Sequence, residues 1–231
     1  MWVLDSIASS VRSRGGVGNY GGSEGVQWIT YERRGIKRAF FNLYRDSLYF
    51  RELHGYDEGA FWSGINDDIL DYRSKGYAVT GVGDLNAKIG ALPDGAGARL
   101  GYDGHDSAGE ALSALLVDTG LLSMNGKLLW GARQRKGLGR DEVCEGVTPS
   151  ATFMSDGAAY GALTEIDYVL VDDEDYKSIT RFEVLRLFAE QTDHFWLVFS
   201  VASGFLDIPE GMAVLDDTPS VLLPSSKFKV A

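Results

Sequence analysis

The stretch Tyr77-Ala-Val-Thr-Gly-Val-Gly-Asp-Leu-Asn-Ala-Lys-Ile-Gly90 decides how this chain folds. It opens with a short apolar run, Tyr77 to Val82, which predicts a buried strand bounded by glycines. Asp84 and Asn86 follow where that strand ends, and alternate residues of an extended chain share a face. A carboxylate and a carboxamide in this position are typical of a polar site in the crevice of an α/β sheet.

Three loops of similar composition are excluded at this stretch. A dinucleotide-binding loop needs glycine at the sixth position counted from Gly81, where Asn86 stands. A phosphate-binding loop needs Gly-Lys-Ser/Thr, which is absent. A calcium loop that starts at Asp84 needs glycine at its sixth position, where Ile89 stands. The stretch therefore needs another explanation.

The periodicity before this strand predicts an α/β protein. Val26–Tyr31 and Lys37–Tyr44 alternate as strands and form a predicted antiparallel pair joined by a basic turn. Phe61–Lys75 has apolar residues at spacings of three and four, which predicts an amphipathic helix that stops at Gly76. The order strand, helix, strand indicates a βαβ-like unit.

The second half of the chain predicts one more helix and further strands. Ser107-Ala-Gly-Glu110 has the form of a capping box, and the helix that follows it ends at Gly120. The further predicted strands are Glu165–Val171, Ile179–Leu187 and Phe195–Val201.

Glycine- and proline-rich segments at both ends set the predicted domain limits. Residues 1–25 are a glycine-rich start with a remnant strand around Val17–Tyr20. Residues 26–201 form the predicted domain. Residues 202–231 are predicted to be a tail or linker.

The composition narrows the class of protein. The formal net charge of −11 disfavours nucleic-acid binding by the whole surface, although it leaves a local basic patch or a metal-assisted site open. Cys144 is the single cysteine, which excludes an internal disulfide and favours a reducing compartment. No run approaches the ~18 apolar residues of a membrane span. The first residues carry Asp5 and no basic group, so we do not expect them to act as a secretory signal. We expect a soluble, intracellular protein with no membrane partner.

Polar residues recur where the predicted strands begin or end. Asp167 lies in an apolar strand, where a carboxylate costs several kcal/mol unless it is paired. Asp193-His194 precedes the last strand, and an aspartate beside a histidine is a common way to poise an imidazole. Tyr44 closes its strand. Each of these features alone is more often structural, so the signal lies in their joint occurrence.

Three segments together resemble a known superfamily. Gly83-Asp84-Leu85-Asn86-Ala87, Glu165-Ile166-Asp167-Tyr168 and Thr192-Asp193-His194 resemble, in this order, the last three signature motifs of the endonuclease/exonuclease/phosphatase superfamily. Asn42-Leu43-Tyr44 stands where that superfamily has its strand-ending tyrosine. The run from Gly83 to Gly90 is most similar to the endonuclease domains of non-LTR retrotransposons. The resemblance covers roughly residues 15–201.

The resemblance implies a two-sheet α/β sandwich, DNase I-like, that hydrolyses phosphodiester bonds of nucleic acid, in particular DNA. It implies that Asp84 orients or deprotonates the attacking water and that Asn86 holds this water and a phosphate oxygen. His194, paired with Asp167, would meet the charge that grows on the phosphoryl oxygens. Tyr44 would contact the phosphate.

The resemblance also implies a divalent metal supported by Asp193 and Asp84, and such hard oxygen ligands favour Mg²⁺ or Mn²⁺. The superfamily begins with a strand that carries Asn and, further on, a strand that ends in a metal-binding Glu, and neither has an equivalent in this sequence. We therefore expect a domain that lacks its first strands, with impaired metal binding and activity. Retroelement architecture implies a fused reverse transcriptase in a full-length parent.

Two basic concentrations are candidates for nucleic-acid contact, with a solvated charged turn as the equal alternative. They are Arg33, Arg34, Lys37, Arg38, Arg133, Arg135, Lys136 and Arg140. Two other functions stay open. One is a catalytically dead nuclease-like fragment that acts as a binding or structural domain, and the other is a phosphatase or lipid phosphodiesterase of the same fold.

Overall fold

The computed structural model describes residues 11–14, 25–45, 57–90, 104–125, 152–154, 163–176, 179–185, 193–201 and 222–223. The strands are β1 Val11–Arg14, β2 Val26–Arg33, β3 Ile36–Tyr44, β4 Ala78–Asp84, β5 Leu122–Ser123, β6 Phe153–Met154, β7 Leu163–Thr164, β8 Asp167–Val171, β9 Ile179–Leu185, β10 Trp196–Val201 and β11 Leu222–Leu223. The helices are α1 Glu58–Ser74, α2 Ser107–Thr119 and the single turn α3 Asp173–Tyr176. Within these ranges, no helix has the length and apolar character that crossing a bilayer requires.

The main sheet has six strands in the order β1-β2-β3-β4-β8-β5. β2 and β3 form the predicted antiparallel pair, and their turn places Arg34 and Gly35 at φ angles of 48° and 83°. β3 and β4 are parallel, as their connection through α1 requires, which confirms the predicted βαβ-like unit. β8 is antiparallel to β4, so the sheet is mixed. The predicted α/β class is confirmed.

Alternate residues of β8 face two different layers. Tyr168 and Leu170 belong to a core shared with α1 and α2, whereas Val169 and Val171 belong to a second core shared with β9 and β10. β9, β10 and β11 form a three-stranded sheet. The six-stranded sheet therefore lies between the helices and the three-stranded sheet, and the predicted two-sheet α/β sandwich is confirmed.

Helix α1 buries the apolar stripe that the sequence predicts. Its N-cap is Asp57, whose side chain accepts the N–H of Ala60 at 3.0 Å. The residues of the stripe are Phe61, Trp62, Ile65, Ile69 and Tyr72, all in the first core. Spacings of three and four keep these side chains on one face of the helix, so the prediction of this helix is confirmed.

Helix α2 has a different cap from the predicted one. Asp106, not Ser107, is the N-cap, and its Oδ1 accepts the N–H of Gly109 at 2.7 Å. The same oxygen accepts the N–H of Lys88 at 3.1 Å, which joins the helix to the loop after β4. The predicted capping box is wrong because the carboxylate of Asp106 satisfies both donors. The helix ends at Gly120 as predicted, with a φ of 65°.

Two strands lie in segments that the sequence analysis assigns to the chain ends. β1 pairs antiparallel with β2, although its sequence does not predict a strand. The remnant strand predicted at Val17–Tyr20 lies outside the described residues. β11 pairs with β10 and lies in the predicted tail. The three domain limits stay predictions.

Strand β4 ends next to β3 because residue 83 is glycine. Gly83 has a φ of 150°, and a Cβ there would lie 1.9 Å from the carbonyl oxygen of Leu43 on β3. A residue with a side chain would have to push the two strands apart at this point. The glycine therefore allows Asp84 to lie beside Tyr44.

Candidate active site

Three of the predicted site residues lie in one row across the central strands. Tyr44 on β3 is in register with Asp84 on β4, and Asp84 is in register with Asp167 on β8. Residues in register on neighbouring strands point to the same face of a sheet. This is the face of Val169 and Val171, which the three-stranded sheet covers. The row therefore faces the start of β10.

His194 stands directly before β10 and is bonded to this row. Its Nδ1 lies 3.1 and 3.0 Å from the two carboxylate oxygens of Asp167, which is fully buried. Because a carboxylate only accepts hydrogen bonds, Nδ1 carries the proton. Phe153 forms a β-bridge with His194, and their rings meet at 4.8 Å. The imidazole is thus fixed with Nε2 left to face other groups.

Two further carboxylates lie around Nε2 of His194. Oδ2 of Asp84 is 3.9 Å from it, while Oδ1 accepts the N–H of Asn86 at 3.0 Å. Oδ1 of Asp193 is also 3.9 Å from Nε2, on a side chain that is 40% exposed. Asp84 is buried. The imidazole is therefore hydrogen-bonded to Asp167 through Nδ1, and Asp84 and Asp193 lie near Nε2.

This arrangement shifts both titrating partners toward holding a proton. Burial, and then the negative charge of Asp167, raise the pKa of Asp84 to about 7. Burial on its own lowers the pKa of His194, but its hydrogen bond to Asp167 and the charges of the surrounding acids outweigh burial. The pKa of His194 is therefore raised above its ordinary value. The site can hold and release protons near neutral pH.

Asn86 is turned toward the backbone of the preceding strand end. Its φ is 42°, and its side-chain Nδ2 donates to the carbonyl oxygen of Arg45 at 2.9 Å. The N–H of Arg45 donates in turn to the carbonyl oxygen of Asp84 at 2.9 Å. The carboxamide thus anchors the turn after β4. The water- and phosphate-binding role that the resemblance implies for Asn86 stays a prediction.

Arg45 is a buried cation next to the site that sequence reasoning did not select. It donates to Oε1 of Glu58 from Nε at 2.8 Å and from the terminal Nη2 at 2.5 Å. It also donates to the carbonyl oxygen of Asn86 at 2.8 Å. Its place directly after Tyr44 was the available signal, but a charged residue after a strand is more often exposed. Arg45 ties the start of α1 to the turn that carries Asp84.

The basic residues of the β2–β3 turn lie at the opposite end of the sheet. Arg38 is in register with Ala78 at the start of β4, whereas Tyr44 is in register with Asp84 at its end. At about 3.3 Å per residue, six residues separate the two by about 20 Å. Arg33, Arg34 and Lys37 lie on this same end. Arg133, Arg135, Lys136 and Arg140 lie outside the described residues.

The acidic residues fit a hard divalent cation. Donor atoms of Asp84, Asp167 and His194 lie within 4.8 Å of one another. Both oxygens of Asp167 already bind Nδ1 of His194, however, and a histidine with a raised pKa is a poor metal ligand. The oxygens that remain around Nε2 belong to Asp84 and Asp193. A cation there would offset the desolvation and the charge repulsion that raise the pKa of Asp84.

No protein-family model and no curated protein sequence matches this chain. Its structure is similar to the endonuclease domain of TRAS1, a telomere-specific non-LTR retrotransposon, with 13% identity, a TM-score of 0.49, and coverage of 84% of this chain and 81% of that one. It is similar to a 3'-5' exonuclease from Neisseria meningitidis, with 15% identity, a TM-score of 0.48, and coverage of 76% and 65%. An endonuclease/exonuclease/phosphatase family protein from Leptotrichia buccalis has 15% identity, a TM-score of 0.45, and coverage of 77% and 54%.

These similarities concern the fold. The similar structures include proteins of the superfamily that the three sequence motifs resemble. By its own described residues, the chain is an α/β sandwich with an aspartate–histidine pair, Asp167 and His194, beside a second buried carboxylate, Asp84.

Proposed function

We propose that this chain hydrolyses phosphodiester bonds of nucleic acid, with DNA as the substrate, as an endonuclease of the retroelement type. The observation that supports the proposal most is the alignment of Asp167, His194 and Asp84, in which Nε2 of the held imidazole lies 3.9 Å from Oδ2 of Asp84. These three residues come from the three separate motifs that resemble the nuclease superfamily. In this fold they meet at one point.

The roles of the residues follow from their charges and positions. Asp84 takes a proton from the attacking water, since it is a buried carboxylate whose Oδ2 lies 3.9 Å from Nε2 of His194. As the water oxygen bonds to phosphorus, the ester P–O bond breaks and its oxygen takes up a proton from solvent. Protonated His194, oriented by Asp167, neutralises the charge that grows on the phosphoryl oxygens.

Two side chains at the edge of the site complete the proposal. Tyr44 is 41% exposed and contacts the phosphate from the neighbouring strand. Asp84 and Asp193 would hold Mg²⁺ or Mn²⁺, and the bound ion would supply further charge neutralisation at the phosphoryl oxygens. Each of these carboxylates has an oxygen 3.9 Å from Nε2 of His194.

Nicking of supercoiled plasmid DNA in the presence of Mg²⁺ or Mn²⁺ tests the proposal. We expect Asp84→Ala and His194→Ala each to lower the nicking rate by on the order of 10³-fold. His105→Ala is the matched control, since its Nδ1 contacts only the backbone oxygen of Ile89 among the contacts described, and it should cut like the wild type. Normal cutting by His194→Ala would contradict the site assignment.

The same assay separates the two other functions. A folded wild-type protein that nicks nothing with either metal would support the catalytically dead binding domain. A protein that leaves DNA intact but hydrolyses p-nitrophenyl phosphate would support the phosphatase, with the loss in His194→Ala showing that the same site acts.

A further inference from the structure

Among the described strands, only β4 pairs with the backbone of Asp167. Asp84 and Asp167 form a non-hydrogen-bonded pair of the β4–β8 ladder, because the neighbouring N–H of Leu85 donates to the carbonyl oxygen of Ile166 at 2.9 Å. The N–H and C=O of Asp167 therefore point away from β4, toward the side of β5. β5 pairs only with the far end of β8. A buried backbone group left unpaired there costs about 1–3 kcal/mol.

Two buried side chains form hydrogen bonds with the peptide groups of Asp167 on this side. Oγ1 of Thr152 accepts the N–H of Asp167 at 2.9 Å and the N–H of Ile166 at 3.0 Å. Nδ2 of Asn125 donates to the carbonyl oxygen of Asp167 at 2.7 Å, and its Oδ1 accepts the N–H of Val169 at 3.1 Å. Thr152 is 0% exposed and Asn125 1% exposed. The peptide groups of Asp167 are thus held entirely by side chains on this edge.

Thr152 differs from Asn125 because it also holds the strand of the histidine. Its carbonyl oxygen accepts the N–H of Phe195 at 2.6 Å. The next residue, Phe153, forms the β-bridge and the ring contact with His194. The dipeptide Thr152-Phe153 therefore contacts both members of the aspartate–histidine pair, one through the backbone of β8 and the other through the start of β10.

We propose that Thr152 is a positioning residue, whose hydroxyl fixes the carboxylate of Asp167 against Nδ1 of His194. The inference rests on the proposed function for its effect on catalysis, but the geometry of the pair can be tested without it. Asp167 contacts the imidazole through both oxygens at nearly equal distances. A small shift of its backbone would lose this arrangement, since the side chain has only two rotatable bonds.

The experiment compares Thr152→Val, which keeps the shape but lacks the hydroxyl, with Thr152→Ser, which keeps the hydroxyl. We expect Thr152→Val to lower kcat for plasmid nicking about tenfold with an unchanged KM, as the loss of a supporting hydrogen bond does at other sites. Thr152→Ser should stay within about twofold of the wild type. Thr119→Val is the matched control, because Thr119 is also buried and bonds to backbone, at the end of α2.

A second readout does not depend on activity. In ¹H–¹⁵N spectra of the full chain, the Nδ1–H of His194 should give a downfield signal in the wild type and in Thr152→Ser. In Thr152→Val this signal should move upfield or exchange with water. If Thr152→Val does not fold, Thr152→Ala replaces it, since the smaller side chain leaves room for a water to accept the two N–H groups.

The outcomes are separable. If the wild type cuts nothing, the proposed function fails, while the histidine signal still tests the positioning role. An unchanged signal in the folded variant, or a kcat equal to that of Thr119→Val, would overturn the role of Thr152. An equal loss in Thr152→Ser and Thr152→Val would overturn it as well, because the hydroxyl would then not be what matters.

Discussion

The central strands β4 and β8 have acidic groups at both ends, but the partners of these groups differ between the two ends. At the far end, Asp172 follows β8 and accepts hydrogen bonds from the guanidinium of Arg73 and, at 2.5 Å, from the N–H of Val79. At the site end, Asp84 and Asp167 lie in register and share the imidazole of His194. At the far end an arginine balances the partly buried charge of Asp172, whereas the site end keeps a buried acid whose pKa is raised to about 7.

This difference distinguishes acidic residues that stabilise the fold from acidic residues that serve a function. Asp175 on the far end is nearly buried too, and it is paired with Arg38. A paired acid of this kind fixes the structure. Two acids beside one imidazole lower the stability of the folded protein, so their presence at a strand end indicates a functional role rather than a stabilising one. Substitutions at the two ends should therefore have opposite effects on stability.

The largest effect is expected at the far end. Arg73→Met removes the partner of Asp172 and the donor to the carbonyl oxygen of Thr119. The pair is partly buried, and the loss of its two charge-assisted hydrogen bonds should cost about 3 kcal/mol in total, measured as the free energy of unfolding in urea. Combining it with Asp172→Asn should recover part of this loss, because the unpaired charge disappears.

An exposed pair on the same helix is the control for this prediction. Lys75 and Asp71 form an ion pair with side chains that are 45% and 31% exposed. Lys75→Met should cost less than about 0.5 kcal/mol. Equal losses for Arg73→Met and Lys75→Met would mean that burial of the far-end pair contributes nothing.

The next effect is a gain in stability at the site end. In the unfolded chain Asp84 ionises near its model value of 3.8, and in the folded chain its pKa is raised to about 7. Between these values the folded form binds the extra proton, so the free energy of unfolding falls as pH rises and the loss is complete above about pH 7. Asp84→Asn removes this loss. In metal-free protein we expect it to be more stable than the wild type by about 2 kcal/mol at about pH 8, and not at about pH 4.

The sign of the histidine contribution is the same. The pKa of His194 is raised in the folded protein, so its stabilisation is complete below the unfolded value and is lost as pH rises through the folded one. The wild type should thus lose stability from acid toward neutral pH in urea titrations with EDTA. A gain for Asp84→Asn that is the same at both pH values would show that ionisation is not its cause.

Magnesium should reverse part of this loss. With a Kd of about 1 mM, about 10 mM Mg²⁺ stabilises the folded protein by about 1.4 kcal/mol. At about pH 8 we expect this increment in the wild type and almost none in Asp84→Asn or Asp193→Asn. Asp167→Asn should keep most of it, because both oxygens of Asp167 serve His194. Loss of the increment in Asp167→Asn alone would replace Asp193 by Asp167 as the metal ligand.

Much of the fold could be predicted from the sequence because its main elements have clear periodicity. β2, β3, β4 and α1 lie where alternation or helical spacing predicts them, within a few residues. In the strand Val11–Arg14 a single valine is followed by three polar residues, so only its pairing with β2 defines it. The carboxylate that caps α2, Asp106, also accepts the N–H of Lys88, a contact between distant segments. Such tertiary contacts leave no local pattern.

For the site, the contact between Asp167 and His194 could be predicted from the sequence, whereas the surroundings of this pair could not. Asp167 and His194 were expected to pair because of the resemblance, and the structure places them in hydrogen-bond contact. The burial of Arg45 and the use of the Thr152 hydroxyl by the β8 backbone could not be predicted. The first depends on contacts of Arg45 with Glu58 and Asn86, and the second on how far β5 extends along β8.

The smallest effect is expected from the basic turn of the far end. Arg33 and Arg34 flank the tip of the β2–β3 hairpin, more than about 20 Å from the site by strand rise, which is beyond the screening length of about 8 Å at physiological salt. If a DNA duplex covers both ends, Arg33→Gln with Arg34→Gln should weaken binding a few-fold and reduce the salt slope by up to about 2, with kcat unchanged. Binding titrations over a range of salt concentrations measure this slope, with Lys75→Met as the control on the same end. An unchanged slope would remove this turn from the DNA contacts, and the far end would then serve stability alone.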